Sequence, residues 1–189
     1  TTTEGMTSTD ALQAWRNRGD GTFEDVSART GLGGATGRMA LWGDFDGDGD
    51  VDVDAGVYRD GVGPFTPASQ SRVWMMGDDG RYTVRPDAME PVGPTAAGSV
   101  GDCDGDGAVD LFVGQWLRQY PRNPAPDFVF HNDGAGHFTD ASAASGVSAI
   151  PGVLSFNTSD YDNDGDLDVL APRGGWFADD GRVRPSLLR

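Results

Sequence analysis

Three acidic segments recur along this chain at a fixed step, and that period restricts the fold more than any other feature. Asp44, Asp102 and Asp160 each open a run of the form D-x-D-x-D-G-x-x-D, and each lies 58 residues from the next. A constant period of this length marks a tandem array, in which each unit is one supersecondary structure that buries its apolar face against its neighbours. The carboxylates stand at loop positions 1, 3, 5 and 9: Asp44, Asp46, Asp48 and Asp52 in the first loop, Asp102, Asp104, Asp106 and Asp110 in the second, and Asp160, Asp162, Asp164 and Asp168 in the third. Glycine holds position 6 each time, as Gly49, Gly107 and Gly165, where a sharp turn needs conformational freedom. Like charges crowded at alternate positions repel, so the pattern calls for a cation among them. Short loops present oxygen ligands to hard divalent ions at this spacing, with position 7 offering its main-chain carbonyl. Position 7 is Asp50, Ala108 and Asp166, a variation expected where the side chain is not the ligand. Ca²⁺, which accepts about six to eight oxygens in flexible geometry, suits such loops better than Mg²⁺, which keeps its waters. The expectation is three Ca²⁺ sites, in loops 44–52, 102–110 and 160–168. An EF-hand is excluded, because position 12 is Ala55, Val113 and Ala171 instead of glutamate.

A second landmark keeps nearly the same step. "WRNRGDGTF" from Trp15, "WMMGDDGRY" from Trp74 and "FHNDGAGHF" from Phe130 each read as two strands joined by a glycine-rich turn. Short apolar runs such as "RMALWG" precede the acidic loops. After the loops, Val51, Val109 and Leu167 begin faces with a period of two residues. Phe112 and Leu170 make the opposite face apolar as well, so the second and third of these strands are expected to be covered on both sides. Each unit is then four strands, with no helix signal longer than a turn or two; "DASAASG" is the best candidate. The connections after Tyr58 and Trp116 carry prolines and read as exposed. The fold class is all-β: β-propeller blades of four antiparallel strands in three 58-residue repeats, with "SLLR" as a further partial strand. A propeller ring has at least about four blades, so the array is expected to be part of a larger or oligomeric ring.

The acidic hairpin, followed by the turn "NRGDGTFEDV" from Asn17 to Val26, resembles the FG-GAP/VCBS repeats of integrin α-subunit propellers, especially the bacterial and cartilage acidic protein type. The resemblance covers residues 12–189; residues 1–11 read as a flexible Thr-rich segment. It implies a secreted or cell-surface propeller in which calcium stabilises each blade and ligands meet the loops of one face, and it implies no catalytic activity.

Composition narrows the partners. The chain has 30 acids against 14 basic residues, all arginine, for a net charge of −16. Three divalent ions would bring this to −10 and relieve part of the self-repulsion. Such acidity argues against nucleic acid as a partner, and no apolar run approaches the roughly 20 residues that cross a bilayer. The one cysteine, Cys103, occupies loop position 2, where the other units have Phe45 and Tyr161, and reads as a small buried apolar side chain. Arg18-Gly19-Asp20 spells an adhesion tripeptide but falls in a repeated turn where glycine and aspartate serve geometry. Asn157 begins an N-x-S sequon inside an expected inner strand, where burial is expected.

Tyr58, Trp116 and Trp176 each follow a metal-loop strand by a few residues, near Arg59, Arg118 and Arg173, and form a candidate ligand face. Aromatic and guanidinium groups together stack on sugars or grip a protein; the alternative is that the rings pack between blades. The functional expectation is an extracellular, calcium-stabilised module for adhesion or recognition of a protein or glycan partner. The competing reading is a structural subunit whose copies assemble into a surface layer or fibre.

Overall fold

The computed structural model describes residues 11–35, 37, 39–57, 71–89, 95–115, 117–119, 123–124, 126–147, 152–172 and 186–188. Each acidic run is the reversal between two antiparallel strands. Strands β1 (Trp15–Asn17) and β2 (Phe23–Asp25) form a hairpin, followed by one turn of helix, α1 (Ser27–Thr30). Sheet I is β3 (Met39–Gly43), β4 (Asp52–Gly56), β5 (Arg72–Met76) and β6 (Tyr82–Arg85), paired in that order. Strands β7 (Thr95–Gly101) and β8 (Asp110–Gln115) open sheet II. A small pair, β9 (Leu117–Gln119) and β10 (Asn123–Pro124), interrupts the connection before β11 (Phe128–Asn132) and β12 (Phe138–Asp140) complete the sheet in the order β7-β8-β11-β12. A second helical turn, α2 (Ser142–Ser145), leads to sheet III, where β13 (Asn157–Ser159), β14 (Asp168–Ala171) and β15 (Ser186–Leu188) pair in that order. All pairings are antiparallel, and the architecture is β-propeller-like, with four-stranded antiparallel sheets and almost no helix.

The first strand of each sheet lies against the first strand of the next, β3 on β7 and β7 on β13. Small residues permit the approach. A Cβ at Gly98 would stand 2.7 Å from Leu41 Cδ1, and one at Gly101 would stand 2.7 Å from Leu167 Cδ1. Across the second of these contacts Ser99 Oγ meets Thr158 Oγ1 at 3.1 Å.

The core is built between sheets. Phe45, at position 2 of the first loop, is fully buried among Leu111, Phe130 and Phe138 of sheet II. Its ring stands edge-on to Phe138, with centroids 5.4 Å apart. Burying such a ring stabilises the fold by about 2–3 kcal/mol. Cys103 repeats the move into the cluster that holds Phe112, Val153, Phe156 and Val169. A third cluster, with Leu32, Ala35, Val53, Ala55 and Tyr82, joins the N-terminal segment to sheet I. Position 2 of the first two loops is therefore a plug that fastens one sheet to the next.

Several expectations change. Leu170 is 44% exposed, so the third post-loop strand is covered on one side only. The first, β4, is buried along its whole length, including Asp54 at 0% exposure. What covers a face is the neighbouring sheet, which local alternation does not encode. Asn157 is exposed, because β13 lies at the end of the described array. Helix α1 and the β9–β10 pair are additions to the expected strands. The last segment, Ser186–Leu188, does form a strand, third in its sheet.

Candidate metal centres

The three acidic loops fold alike because aspartates at fixed spacing bind the loop's own main chain. At position 1, Asp44 accepts from Gly47 N at 2.8 Å through Oδ1 and from Gly49 N at 3.0 Å through Oδ2. Asp102 does the same with Gly105 N at 2.8 Å and Gly107 N at 2.9 Å. Asp160 accepts from Asp164 N and Gly165 N, both at 3.1 Å. At position 5, Asp48, Asp106 and Asp164 each accept from the amide two residues on. Position 6 is forced into the left-handed region, with φ of 92° at Gly49, 92° at Gly107 and 100° at Gly165, where only glycine is unstrained.

Position 9 has a second role that its spacing did not reveal. Asp52 Oδ2 accepts from Phe45 N at 2.9 Å and its Oδ1 from Met76 N at 2.8 Å, so one buried carboxylate ties the plug residue to the third strand of its sheet. Asp110 makes the same pair with Cys103 N at 2.8 Å and Asn132 N at 2.9 Å. Asp168 keeps the loop bond, to Tyr161 N at 3.0 Å. Burial pushes the Asp52 carboxyl up, against the pull of its two amide donors. Asn132 adds a further tie: its Nδ2 donates to Phe45 O at 2.8 Å and to Val109 O at 3.0 Å, joining loop I to sheet II.

Carboxylate oxygens converge in each loop. Those of Asp44, Asp46 and Asp48 lie within 4.8 Å of one another, as do those of Asp102, Asp104 and Asp110, and those of Asp160, Asp162 and Asp168. The first loop thus gathers positions 1, 3 and 5, whereas the other two gather 1, 3 and 9. Asp46 Oδ1 is buried with no hydrogen-bond donor among the described residues. Burial, and then the charge of Asp48, push the Asp46 carboxyl up. A side chain with a buried, donorless carboxylate oxygen, gathered with two other carboxylates, belongs to the kind of donor set a hard cation takes, so the residues fit a divalent ion. In loop II, His131 Nδ1 stands 3.2 Å from Asp104 Oδ2, so an imidazole shares that carboxylate.

Sequence reasoning also missed a recurring latch behind the hairpins. Asp25 Oδ1 accepts from Ser27 N at 2.9 Å and Ser27 Oγ at 2.6 Å, while Ser27 Oγ accepts from Ala14 N at 2.9 Å. Asp140 and Ser142 repeat it, with Ser142 Oγ accepting from Val129 N at 3.0 Å. The signal was present as "DVS" and "DAS" after the first and third hairpins. Tyr58, Trp116 and Trp176, the expected ligand face, lie outside the described residues, as do residues 1–10. The Arg18-Gly19-Asp20 turn is exposed, and Asp20 is held below the usual carboxylate range by the Thr22 hydroxyl and amide.

Sheets with loops of this kind at one end define a propeller-like repeat protein. The sequence profile described as "FG-GAP-like repeat" matches residues 5–53 and 102–171, and the chain belongs to that family. No curated protein matches it. FG-GAP repeats occur in adhesion and recognition modules, and the family is a non-catalytic binding or structural module. Among the described residues no helix is long and apolar enough to cross a membrane.

Proposed function

We propose that the three loops each hold one Ca²⁺ and that the chain is a calcium-stabilised extracellular module that recognises a protein or glycan partner. Asp44, Asp46, Asp48 and Asp52 would hold the first ion, Asp102, Asp104, Asp106 and Asp110 the second, and Asp160, Asp162, Asp164 and Asp168 the third. The carbonyls of Asp50, Ala108 and Asp166 complete each set. Residues 12–189 act as one repeat array. The buried, donorless oxygen of Asp46 within a carboxylate cluster carries the reading.

A bound ion supplies positive charge where the loop has gathered negative charge, so its effect is on folding. The side chains do the rest. Positions 1 and 5 set the turn, position 9 fastens it to the sheet, and in the first two loops position 2 fastens that sheet to the next. Extracellular modules hold calcium with dissociation constants of about 10⁻⁴ to 10⁻³ M. At tenfold excess each site contributes about 1.4 kcal/mol to the stability of the folded state. Equilibrium dialysis against radioactive calcium tests the stoichiometry: three ions per chain are expected, and none bound at millimolar calcium would overturn the proposal.

The competing reading is a structural subunit whose copies assemble into an extracellular surface layer or fibre.

A further inference from the structure

One buried side chain joins the first two acidic loops. Asn132, the last residue of β11, is 3% exposed, and its carboxamide is fully hydrogen-bonded. Its Nδ2 donates to Phe45 O at 2.8 Å and to Val109 O at 3.0 Å, while its Oδ1 accepts from Gly134 N and Gly136 N, both at 3.2 Å. Two carbonyls on one side and two amides on the other fix the orientation of the group. The main-chain N–H of the same residue donates to Asp110 Oδ1 at 2.9 Å.

These bonds reach both gatherings of carboxylates. Asp110 is one of the three side chains whose oxygens converge in loop II. Phe45 stands between Asp44 and Asp46, two of the three that converge in loop I, and its own N–H donates to Asp52 Oδ2 at 2.9 Å. Asp52, Phe45, Asn132 and Asp110 therefore form an unbroken series from position 9 of one loop to position 9 of the next. A second route is steric. The turn that Asn132 Oδ1 holds lies against loop I: a Cβ at Gly136 would stand 3.7 Å from Asp46 Cβ, and one at Gly47 would stand 3.7 Å from Gly134 O.

The hairpin itself does not need a carboxamide here. The equivalent end of β5 is Met76, whose N–H makes the corresponding bond to Asp52 Oδ1 at 2.8 Å. The turn after Met76 closes through main chain, Gly77 N donating to Arg81 O at 3.0 Å, as Asp133 N donates to His137 O at 3.0 Å. What asparagine adds at position 132 is the bond across to the neighbouring loop.

Resting on the calcium reading, we propose that Asn132 is a positioning residue that couples ion binding in loops I and II, so that filling either loop raises the affinity of the other. In an empty loop the gathered carboxylates repel, and each loop bears the cost of settling them. Settling Asp110 fixes the main chain of Asn132, whose carboxamide then holds Phe45 and the turn beside Asp46. Settling loop I acts back through Phe45 in the same way. A loop whose neighbour is already ordered has less left to order, so the coupling is positive and equal in both directions.

The test is calorimetric titration of the full chain with calcium, taking out one loop at a time at position 3. Asp162→Ala removes the third site from the signal; adding Asp104→Ala leaves loop I alone, and adding Asp46→Ala leaves loop II alone. The two-loop chain should take up its second ion about fivefold or more tighter than the two single-loop chains predict for independent sites. Adding Asn132→Ala to all three chains should abolish that excess. Should this variant not fold, Asn132→Met, which carries the residue of the equivalent position in sheet I, is used in the same way. A parent chain that binds three ions, with loops I and II independent, would overturn the coupling and leave the calcium reading standing, whereas a parent that binds none would remove both. An excess that survives the loss of the carboxamide would also overturn the proposal.

Discussion

The post-loop strands β4 and β8 begin alike and diverge within two residues. Asp52 and Asp110 both lie buried at the start of their strands, and each accepts one amide from its loop and one from the third strand. Two residues on, β8 has Phe112, packed against sheet III, where β4 has Asp54, fully buried with neither oxygen hydrogen-bonded among the described residues. The loop end must satisfy its own main chain and gather carboxylates, so each repeat meets the same demands. The strand interior answers only to whatever lies across from it. Repetition is therefore strict where chemistry is local and loose where packing is between sheets.

The largest effect should come from breaking the strict end. Asp110→Ala leaves the amides of Cys103 and Asn132 without their acceptor inside the core, and chemical denaturation should register a loss of about 4 kcal/mol. Asp168→Ala, with one such amide among the described residues, should lose about half as much. Equal losses would mean that the tie to the third strand contributes nothing.

The loose end should respond in the opposite direction. Burial pushes the Asp54 carboxyl up to about 7 from its ordinary 3.8. Folded Asp54 thus holds a proton that the unfolded chain has released. Its contribution is full below about 3.8 and is lost as pH rises through about 7. Asp54→Leu, which installs the residue found at the equivalent Leu170, should stabilise the chain by about 3 kcal/mol at pH 8 and by progressively less as pH falls toward 4. Melting curves across that range measure it, and a destabilised variant at pH 8 would show that the carboxylate is compensated. The smallest effect belongs to the latch. Ser142→Ala leaves Val129 N without its acceptor and takes from Asp140 its hydroxyl donor while leaving the amide one, and should cost about 1–2 kcal/mol by denaturant titration.

Much of this was legible in the sequence because the loops write their needs into local spacing. Glycine at position 6 and aspartate at positions 1 and 5 follow from turn geometry, and the hairpins from Trp15, Trp74 and Phe130 follow from alternation around glycine. The inter-sheet features were not legible. Nothing near Asp54 foretells that β4 is covered on both faces, and nothing near Leu170 or Asn157 foretells exposure. Each depends on the presence of a neighbouring sheet. Phe45 and Cys103 were visible as variable apolar residues at position 2, but their role as plugs appears only when the next sheet is in place. The position 9 carboxylates looked like ligands alone, since an amide donor 22 residues distant, as Asn132 is from Asp110, leaves no mark in local spacing.

The central claim is that clustered carboxylates are tolerated in these loops because divalent cations sit among them. Melting the chain in chelator and again in millimolar calcium tests it most directly. Three sites at about 1.4 kcal/mol each should raise the melting temperature by about 10 °C. An unchanged melting temperature, with the loops folded in chelator, would contradict it.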